Sequence, residues 1–526
     1  MIDDDSLLDS ARQRLAKLQA RLQAGQATPV RLIETHLSWI LLGEEDAYKL
    51  KKPLRLPFVD FRSLQSRQQS CLQELRLNQR LAPTIYREVV EVREGDDGPD
   101  FGGSAPVVDY AVRMRRFADG SLWSERLAVG GLEIGQVEAM SRRLADFHRD
   151  APVMPAASRF GSASVQQAVT QRLIAAHDAH LQAAGASEAD FDWPRLRDWL
   201  RGQLTMLAPF WDERRRQGRI REGHGDLHLA NLLQEKGCAS TAFDAIDFDA
   251  ELRCIDVIED IAFLVMDLLA HSADTLAWRF LDVYLEASGD YAGLPALRFY
   301  LVRRALVRAQ VRDLSDDLAA VAPGECDAAV YRTLAARLAF GASPWLVITH
   351  GLPASGKSHV ALRLVTRTGA VRLRSDVERK RLFQLNALDS SKAVGDIYTE
   401  AVGLQTYQRL FELAGVVLRS GWPVVVDAAF LRRAERAQFA ALASSVGVRF
   451  GMIDCRATQA VLEERIQRRA ASASDPSEAD LSVLAWLRAV EEPLDSDELA
   501  AAISVDAGDP RGADHAVCRW LEKLGG

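Results

Sequence analysis

Residues 351–358, with the sequence GLPASGKS, fit the pattern G-x-x-x-x-G-K-S/T, whose residue types suit the binding of phosphate groups. An apolar run at 344–350 predicts a buried strand just before the motif, and 359–365 predicts a helix just after it. A strand, a glycine-rich turn and a helix start direct unpaired backbone N–H groups and the positive end of the helix dipole at phosphate oxygens. The motif therefore predicts a nucleoside triphosphate site.

Five residues of this motif are candidate ligands of ATP and Mg²⁺. Gly351, Ser355 and Gly356 would form the loop around the phosphates. Lys357 would reach the β- and γ-phosphates, and the hydroxyl of Ser358 would hold Mg²⁺. The alternative, a chance glycine-rich turn, is disfavoured because the strand and the helix both flank the motif.

A second group of chemically active residues lies upstream, in the sequence HGDLHLAN at 224–231. Asp226 is the third residue of this segment, and Asn231 is its last residue. Asp247 lies further along the chain, within the mostly apolar run 242–248. Phosphoryl transfer needs a carboxylate that orients or deprotonates the acceptor hydroxyl, and oxygen ligands that hold Mg²⁺ against the triphosphate. Asp226 fits the first role, and Asn231 and Asp247 fit the second.

The His-Gly-Asp triplet with an Asn five residues after the Asp resembles the aminoglycoside phosphotransferase family of small-molecule kinases. The segment EDIAF at 259–263 and the helix end LADFH at 144–148 are further family-like features. The resemblance implies an α+β protein-kinase-like domain, in which Asp260 braces the catalytic loop and His148 is structural. The alternative is a coincidental loop with a surface Asp.

The resemblance also implies a lysine that binds the α- and β-phosphates and a helix glutamate that holds this lysine. We expect Lys49 in this role, because apolar residues flank it, and Lys51 on the same face is the rival. The partner would be Glu74, on a helix predicted over 65–81. A solvated basic strand is the alternative.

The small lobe is predicted to contain a hairpin of strands 35–42 and 47–52. Its last strand is predicted over 108–116, leading into a hinge. By the same resemblance, the adenine would bind the backbone near Met114 and Arg115.

From 344 onward, strands alternate with helices, which predicts an α/β domain with a parallel sheet. Ligands of such sheets bind at the carboxyl ends of the strands, where Asp376, Asp427 and Asp454 are expected. Asp427 resembles a Walker B acid that orders Mg²⁺, and Asp376 is better placed for an acceptor hydroxyl. Arg379 could contact a substrate anion. The strands are predicted over 344–350, 371–376, 421–427 and 449–454.

The segment 374–380 resembles the acceptor element of small P-loop kinases and zeta-toxin-like proteins. Further on, Arg465 and Arg469 share one helix face and precede a loop of small residues. This arrangement resembles the lid of such kinases, and guanidinium groups suit phosphoryl oxygens. A solvated basic helix face is the alternative.

The composition restricts the class of protein to which this chain can belong. The chain has 526 residues and a net charge of −8, so several domains are expected and no basic nucleic-acid surface is indicated. Six scattered cysteines, without C-x-x-C spacing, suit a reducing cytoplasm. The N-terminus lacks an apolar signal core, and no run is long enough to span a membrane.

Three segments are predicted, namely a small lobe at 1–117, a large lobe at 118–340 and a P-loop domain at 344–526. This pairing resembles bacterial proteins that join an aminoglycoside phosphotransferase-like domain to a P-loop domain of the AAA or zeta-toxin type. It implies a cytoplasmic enzyme with two ATP- and Mg²⁺-dependent sites that phosphorylate hydroxyls of small molecules.

Two other functions stay open. One half could be catalytic while the other is an ATP-binding regulator or ATPase. A kinase acting on a nucleic-acid end or a protein is disfavoured, because a basic face laced with aromatic residues is missing from the sequence. The pattern leaves open the acceptors and the oligomeric state.

Overall fold

The computed structural model describes residues 4–56, 59–184, 191–315, 326–472, 475–506, 508–509 and 511–525. The chain divides into two compact units. The first comprises Met1–Gln171, Trp211–Leu264 and Asp316–Cys326, and the second comprises Arg172–Phe210, Val265–Ser315 and Asp327–Gly526. The second unit thus combines the P-loop segment with helices of the predicted large lobe. The domain limits at 117, 340 and 344 stay a prediction.

The first unit contains a six-stranded antiparallel sheet. The strands of this part of the chain are β1 (Arg31–Glu34), β2 (Ser38–Leu42), β3 (Asp46–Lys51), β4 (Arg55–Leu56), β5 (Val59–Asp60), β6 (Tyr86–Gly95), β7 (Gly98–Phe101) and β8 (Val107–Arg115). The order in the sheet is β1-β2-β3-β8-β6-β7, while β4 and β5 pair with each other. The predicted strand over 108–116 is confirmed as β8.

The predicted hairpin is confirmed as β2 and β3, and the N–H of Gly43 donates to the carbonyl of Asp46 at 2.8 Å in its turn. The predicted helix over 65–81 is α2 (Leu64–Asn78). A helix that was not predicted, α1 (Asp4–Ala24), packs Leu15 and Leu18 into the core of the sheet beside Trp39.

The catalytic-loop region follows the sheet in the chain. β10 and β11 form a short antiparallel hairpin, and β9 pairs with β12. The elements are α3 (Trp123–Ala128), α4 (Ile134–Asp150), α5 (Ala163–Ala184), α6 (Trp193–Arg216), β9 (Ile220–Glu222), β10 (Leu232–Leu233), β11 (Thr241–Ala242), α7 (Ala250–Arg253), β12 (Cys254–Asp256) and α8 (Val257–Ala270).

The second unit contains a five-stranded parallel sheet, which confirms the predicted α/β architecture of the carboxy-terminal part. Its strands are β13 (Trp345–His350), β14 (Val371–Arg374), β15 (Val424–Asp427), β16 (Arg449–Arg456) and β17 (Ile503–Asp506). The order is β14-β15-β13-β16-β17. The P-loop strand β13 is therefore the direct neighbour of β15, which ends at Asp427. The last strand, β17, was not predicted.

Several helices of this part of the chain pack against the sheet. The helices from α9 onward are α9 (Asp274–Ser288), α10 (Leu294–Ser315), α11 (Ala328–Phe340), α12 (Lys357–Thr368), α13 (Ser375–Leu382), α14 (Glu400–Arg419), α15 (Arg433–Val446), α16 (Gln459–Ser472), α17 (Leu481–Ala489), α18 (Ser496–Ala501) and α19 (Gly512–Gly525). In one core, α12 contributes Leu364 and α19 contributes Trp520, which packs edge-on against Trp345. None of the described helices combines the length and the apolarity needed to span a membrane.

Candidate active sites

The loop between β13 and α12 has the backbone of a phosphate-binding turn. Gly351, Ala354 and Gly356 have φ values of 132°, 65° and 96°. A Cβ added at Gly351 would clash with the carbonyl oxygen of Cys455, so this position requires glycine for space as well as conformation. The segment that the motif predicts to be a loop is therefore a loop in the structure.

Lys357 and Ser358 begin α12, two residues before the start of the predicted helix. The Nζ atom of Lys357 donates to the carbonyl of Leu352 at 2.7 Å, so the side chain folds over its own loop. Burial lowers the pKa of Lys357. The hydroxyl of Ser358 donates to Oδ1 of Asp427 at 3.2 Å. These two oxygen-bearing side chains are of the kind that Mg²⁺ prefers, so they fit the predicted metal-binding role.

Asp427 ends β15 inside the protein. Its Oδ2 atom has no hydrogen-bond partner among the described residues, but Nε of Arg374 lies 3.5 Å away. Burial raises the pKa of Asp427, and Arg374 acts in the opposite direction. A buried carboxylate with one oxygen on the P-loop serine and the other facing a guanidinium is held in a defined orientation.

Asp376 lies in the first turn of α13, two residues beyond the end of β14. The prediction of a strand over 371–376 was therefore too long, because the chain turns into the helix at Ser375. The Oδ1 atom of Asp376 lies 3.1 Å from Nη1 of Arg379 and 3.4 Å from the hydroxyl of Tyr398. The guanidinium of Arg379 also lies over the ring of Tyr398, 4.7 Å from its centroid.

One cavity of about 460 Å³ joins these groups. Arg465 and Arg469, from the predicted lid helix, also line it. Arg465 donates to the carbonyl of Ala354 in the P-loop at 3.2 Å, and Arg469 donates to the carbonyl of Ala479 at 2.7 Å. The other predicted residues that line the cavity are Gly356, Lys357, Ser358, Asp376, Arg379 and Asp427.

Three predicted residues of the P-loop segment, Gly351, Ser355 and Asp454, do not line this cavity and line a separate one instead. Asp454 lines a separate cavity, where its carboxylate contacts Nδ1 of His350 at 2.8 Å and Nε of Arg456 at 2.5 Å. Asp454 pairs with His350, the last residue of β13, so it lies at the carboxyl end of the sheet as predicted, although β16 runs on to Arg456 and the carboxylate lies in a different cavity from Asp376 and Asp427. Ser355 also lines the second cavity, and its buried hydroxyl has no hydrogen-bond partner among the described residues.

In the first unit, Asp226 and Asn231 are in direct contact. The amide nitrogen of Asn231 donates to Oδ2 of Asp226 and to its backbone carbonyl, both at 3.0 Å. The amide oxygen of Asn231 is therefore the atom that the predicted metal-binding role would use. The backbone N–H of Ile246 donates to the carbonyl of His224 at 3.0 Å, which ties the segment before Asp247 to the loop that carries Asp226.

Asp260 braces this loop from inside the protein. Its carboxylate accepts the backbone N–H groups of His224 at 2.7 Å and Gly225 at 2.8 Å, and it lies 3.0 Å from Nε2 of His148. Burial opposes ionisation of Asp260, but these hydrogen bonds and the two nearby histidines hold its pKa well below its usual range. The contacts agree with the structural roles that the resemblance implies for Asp260 and His148.

Glu74 contacts both candidate lysines. Its two oxygens lie 2.9 Å from Nζ of Lys49 and 2.7 Å from Nζ of Lys51. The second partner of Lys49 is Asp244, at 2.5 Å, and the second partner of Lys51 is Asp247, at 2.9 Å. The alternative of a solvated basic strand is wrong, because both lysines are buried.

Sequence reasoning missed two polar groups of this cluster. The hydroxyl of Ser70, on α2, donates to Asp247. Asp244 has φ of 62°, a conformation that Asp tolerates better than most residues. Its position three residues before Asp247 was a signal that could have drawn attention to it.

The backbone N–H of Arg115 is not available for the predicted adenine contact. That group donates to the carbonyl of Ile85 at 2.8 Å, and the N–H of Arg116 donates to the carbonyl of Glu45. Met114 is paired on both sides within the sheet, with Ala47 and Tyr86. The N–H groups of Arg115 and Arg116 are therefore not available to an adenine.

Residues 346–494 match the sequence profile of a family described as an AAA domain. The uncharacterized proteins Mb2027c of Mycobacterium bovis and Rv2004c of Mycobacterium tuberculosis are each 28% identical to the chain over 455 residues. This match spans 86% of the chain and 89% of each relative.

Three solved kinases show lower similarity. A gluconokinase from Sinorhizobium meliloti is 21% identical with a TM-score of 0.25, covering 34% of this chain and 95% of its own. A sugar kinase from Janibacter is 18% identical with a TM-score of 0.27, covering 35% and 95%. An ethanolamine kinase from Plasmodium vivax is 10% identical with a TM-score of 0.37, covering 59% and 81%. The profile match and the loop geometry together identify a P-loop nucleotide-binding domain with a parallel sheet in the carboxy-terminal part of the chain.

Proposed function

We propose that this chain is a phosphotransferase with two ATP sites, each transferring the γ-phosphoryl group of ATP to a hydroxyl of a small molecule. One observation carries the proposal. Asp376 and Asp427, two acids suited to different tasks, line the same cavity as Lys357 and Ser358. A domain that only binds ATP has no need for an acid such as Asp376 on the acceptor side.

In this centre, the acceptor hydroxyl would attack the γ-phosphorus while the bond to the β-phosphate oxygen breaks and ADP leaves. Asp376 would accept the hydroxyl proton. Lys357, Arg465 and Arg469 would stabilise the phosphate oxygens, because fixed cationic donors are worth most where charge is transferred. Ser358 and Asp427 would hold Mg²⁺, which neutralises charge on the β- and γ-phosphates when it is bound.

For the first centre, we propose an aminoglycoside phosphotransferase-like reaction with Asp226 as the acceptor-side base. Its contact with Asn231 supports this assignment, since the base and a metal-binding amide must lie side by side at the γ-phosphate. Asp247 would supply the second protein ligand for Mg²⁺. Glu74 would hold the lysine that binds the nucleotide.

A regulatory role for the first centre is the second candidate. It is favoured by one observation, namely that the carboxylate of Asp247 already contacts both Lys51 and Ser70. If these contacts persist when ATP binds, Asp247 has less capacity for Mg²⁺. ATP would then bind at the first centre without phosphoryl transfer there.

The test is a screen of a bacterial metabolite pool with γ-labelled ATP and the full-length chain. Wild type is compared with Asp226→Ala, Lys357→Ala and the double variant, and with Asp212→Ala as a control at an exposed position. We expect each single variant to lose a different labelled product and the double variant to lose both. ATP hydrolysis without any labelled acceptor would contradict the proposal, and one lost product alone would favour the regulatory candidate.

A further inference from the structure

Helix α9 lies outside the segment that matches the AAA-domain profile, yet it contacts β14 next to the P-loop centre. Arg372 of β14 forms a buried ion pair with Asp282 of α9, with 2.8 Å between Nη2 and Oδ2. The same Nη2 atom lies 3.3 Å from Oε2 of Glu286, one turn further along the helix. These contacts fix the edge strand to α9.

Arg374, two residues further along β14, extends from this contact to the metal-binding acid. Its three guanidinium nitrogens face three different carboxylates. Nη1 lies 3.5 Å from Glu286, Nε lies 3.5 Å from Asp427, and Nη2 lies 3.6 Å from Asp475. The side chain is only 12% exposed, and it is absent from the described residues that line the cavity. Arg374 therefore contacts the carboxylate of Asp427 from outside the cavity.

The two oxygens of Asp427 have separate partners. Oδ1 accepts the hydroxyl of Ser358, and Oδ2 faces Arg374 without any hydrogen bond from the described part of the chain. The direction in which Asp427 presents Oδ1 to a cation thus depends on what holds Oδ2. Mutation of a group that orients a metal-binding carboxylate typically lowers metal affinity by about 10–100-fold.

We infer that Arg374, held by Glu286 of α9, is a positioning residue for Mg²⁺ at the P-loop centre. The inference rests on the proposed function, because it requires Mg²⁺ and ATP at this centre. It assigns a role to a helix that precedes the P-loop domain in the chain. Without that helix, the centre would lack the residue that holds Arg374.

The test measures the binding of a fluorescent ATP analogue to the full-length chain. Only the part of the binding that is lost in Lys357→Ala is counted, because that part belongs to the P-loop centre. Binding is measured in EDTA and during a Mg²⁺ titration. For Arg374→Gln we expect the Mg²⁺ concentration at half-saturation to rise about tenfold or more, while binding in EDTA changes by less than about twofold. Arg374→Lys should recover part of the loss, because it keeps the charge but loses the fork of donors. Glu286→Gln should shift the titration in the same direction by a smaller factor.

The matched control is Glu498→Gln. Glu498 pairs with Arg436, and its side chain is 18% exposed against 19% for Glu286, so the same kind of ion pair is altered away from the cavity. The control should lose stability without shifting the Mg²⁺ titration. An unchanged titration in Arg374→Gln, an equal loss of binding in EDTA, or an equal shift in the control would each overturn the inference. If wild type shows no binding that depends on Lys357, the proposed function itself fails.

Discussion

The Nζ atom of Lys51 lies 2.9 Å from the carboxylate of Asp247, the predicted metal ligand of the first centre. Lys49, two residues earlier on β3, instead contacts Asp244, whose side chain is 43% exposed. Glu74 joins the two lysines. The arrangement suggests a division of tasks, in which Lys51 orients Asp247 and Lys49 faces the open side, where phosphates would enter.

We therefore expect Lys49→Met and Lys51→Met to have different effects. Lys51→Met removes the cationic partner of the buried carboxylate of Asp247, which keeps only the hydroxyl of Ser70, so it should lower the free energy of unfolding by about 3–5 kcal/mol. Lys49→Met should raise the KM for ATP at the first centre about tenfold with a smaller loss of stability, since Lys51 still pairs with Glu74. Steady-state kinetics and urea denaturation measure both quantities.

Lys52→Met is the control, because Lys52 pairs with Glu34 at the end of the same strand. It should leave the KM for ATP unchanged. Equal changes of KM and stability in Lys49→Met and Lys51→Met would contradict the division of tasks.

The first centre shows which contacts a local sequence pattern can predict and which it cannot. Strand periodicity predicted that Lys49 and Lys51 share one face, and both do contact Glu74. The same periodicity could not separate the two lysines. Their second partners, Asp244 and Asp247, lie in the segment after β11, almost 200 residues later in the chain.

The P-loop centre shows the same limit. The motif and the ends of the predicted strands predicted the loop, Ser358 and Asp427, because phosphate binding restricts residue type and spacing. The contact of Arg374 with Glu286 joins positions 88 residues apart, and no local pattern encodes it. Helix α1 is different, since its apolar residues at Leu8, Leu15 and Leu22 recur at helical spacing and could have predicted it.

Gly351→Ala should disable the P-loop centre. The added Cβ meets the carbonyl of Cys455, and φ of 132° is strained for any residue except glycine. We expect a loss of about 1–3 kcal/mol in stability and the loss of ATP binding at this centre. Gly447→Ala is the control, because Gly447 also has positive φ but an added Cβ meets no atom within 4 Å. Normal ATP binding by Gly351→Ala would show that the loop tolerates a different backbone path.

Asp376→Asn should lower kcat of the P-loop centre by about 10²–10⁴-fold, the range expected for loss of a general base. The KM for ATP should change little, because the contacts of Asp376 are with Arg379 and Tyr398 rather than with the loop. The measurement is phosphoryl transfer in an Asp226→Ala background, which silences the first centre. A large rise in KM with unchanged kcat would assign Asp376 to nucleotide binding instead.

The buried imidazole of His224 should make stability depend on pH. Nε2 donates to the carbonyl of Phe243 at 2.9 Å, and Nδ1 accepts the N–H of Asp226 at 3.3 Å, so the neutral ring satisfies both groups. Burial lowers the pKa of His224 in the folded chain. Unfolded histidine is protonated below a pH of about 6.5. Since the unfolded state then binds more protons, the free energy of unfolding must fall as the pH drops below that value.

Urea denaturation between pH 7 and pH 5 tests this dependence in wild type and in His224→Gln, whose side chain does not titrate. The contribution of His224 reaches at most about 1.4 kcal/mol per pH unit. We expect His224→Gln to be less stable at pH 7 and to lose less stability than wild type as the pH falls. His36→Gln, at an exposed position, should follow the wild-type curve. Parallel curves for wild type and His224→Gln would mean that His224 is protonated in the folded chain, and the loop would then need a different pattern of hydrogen bonds around Asp226.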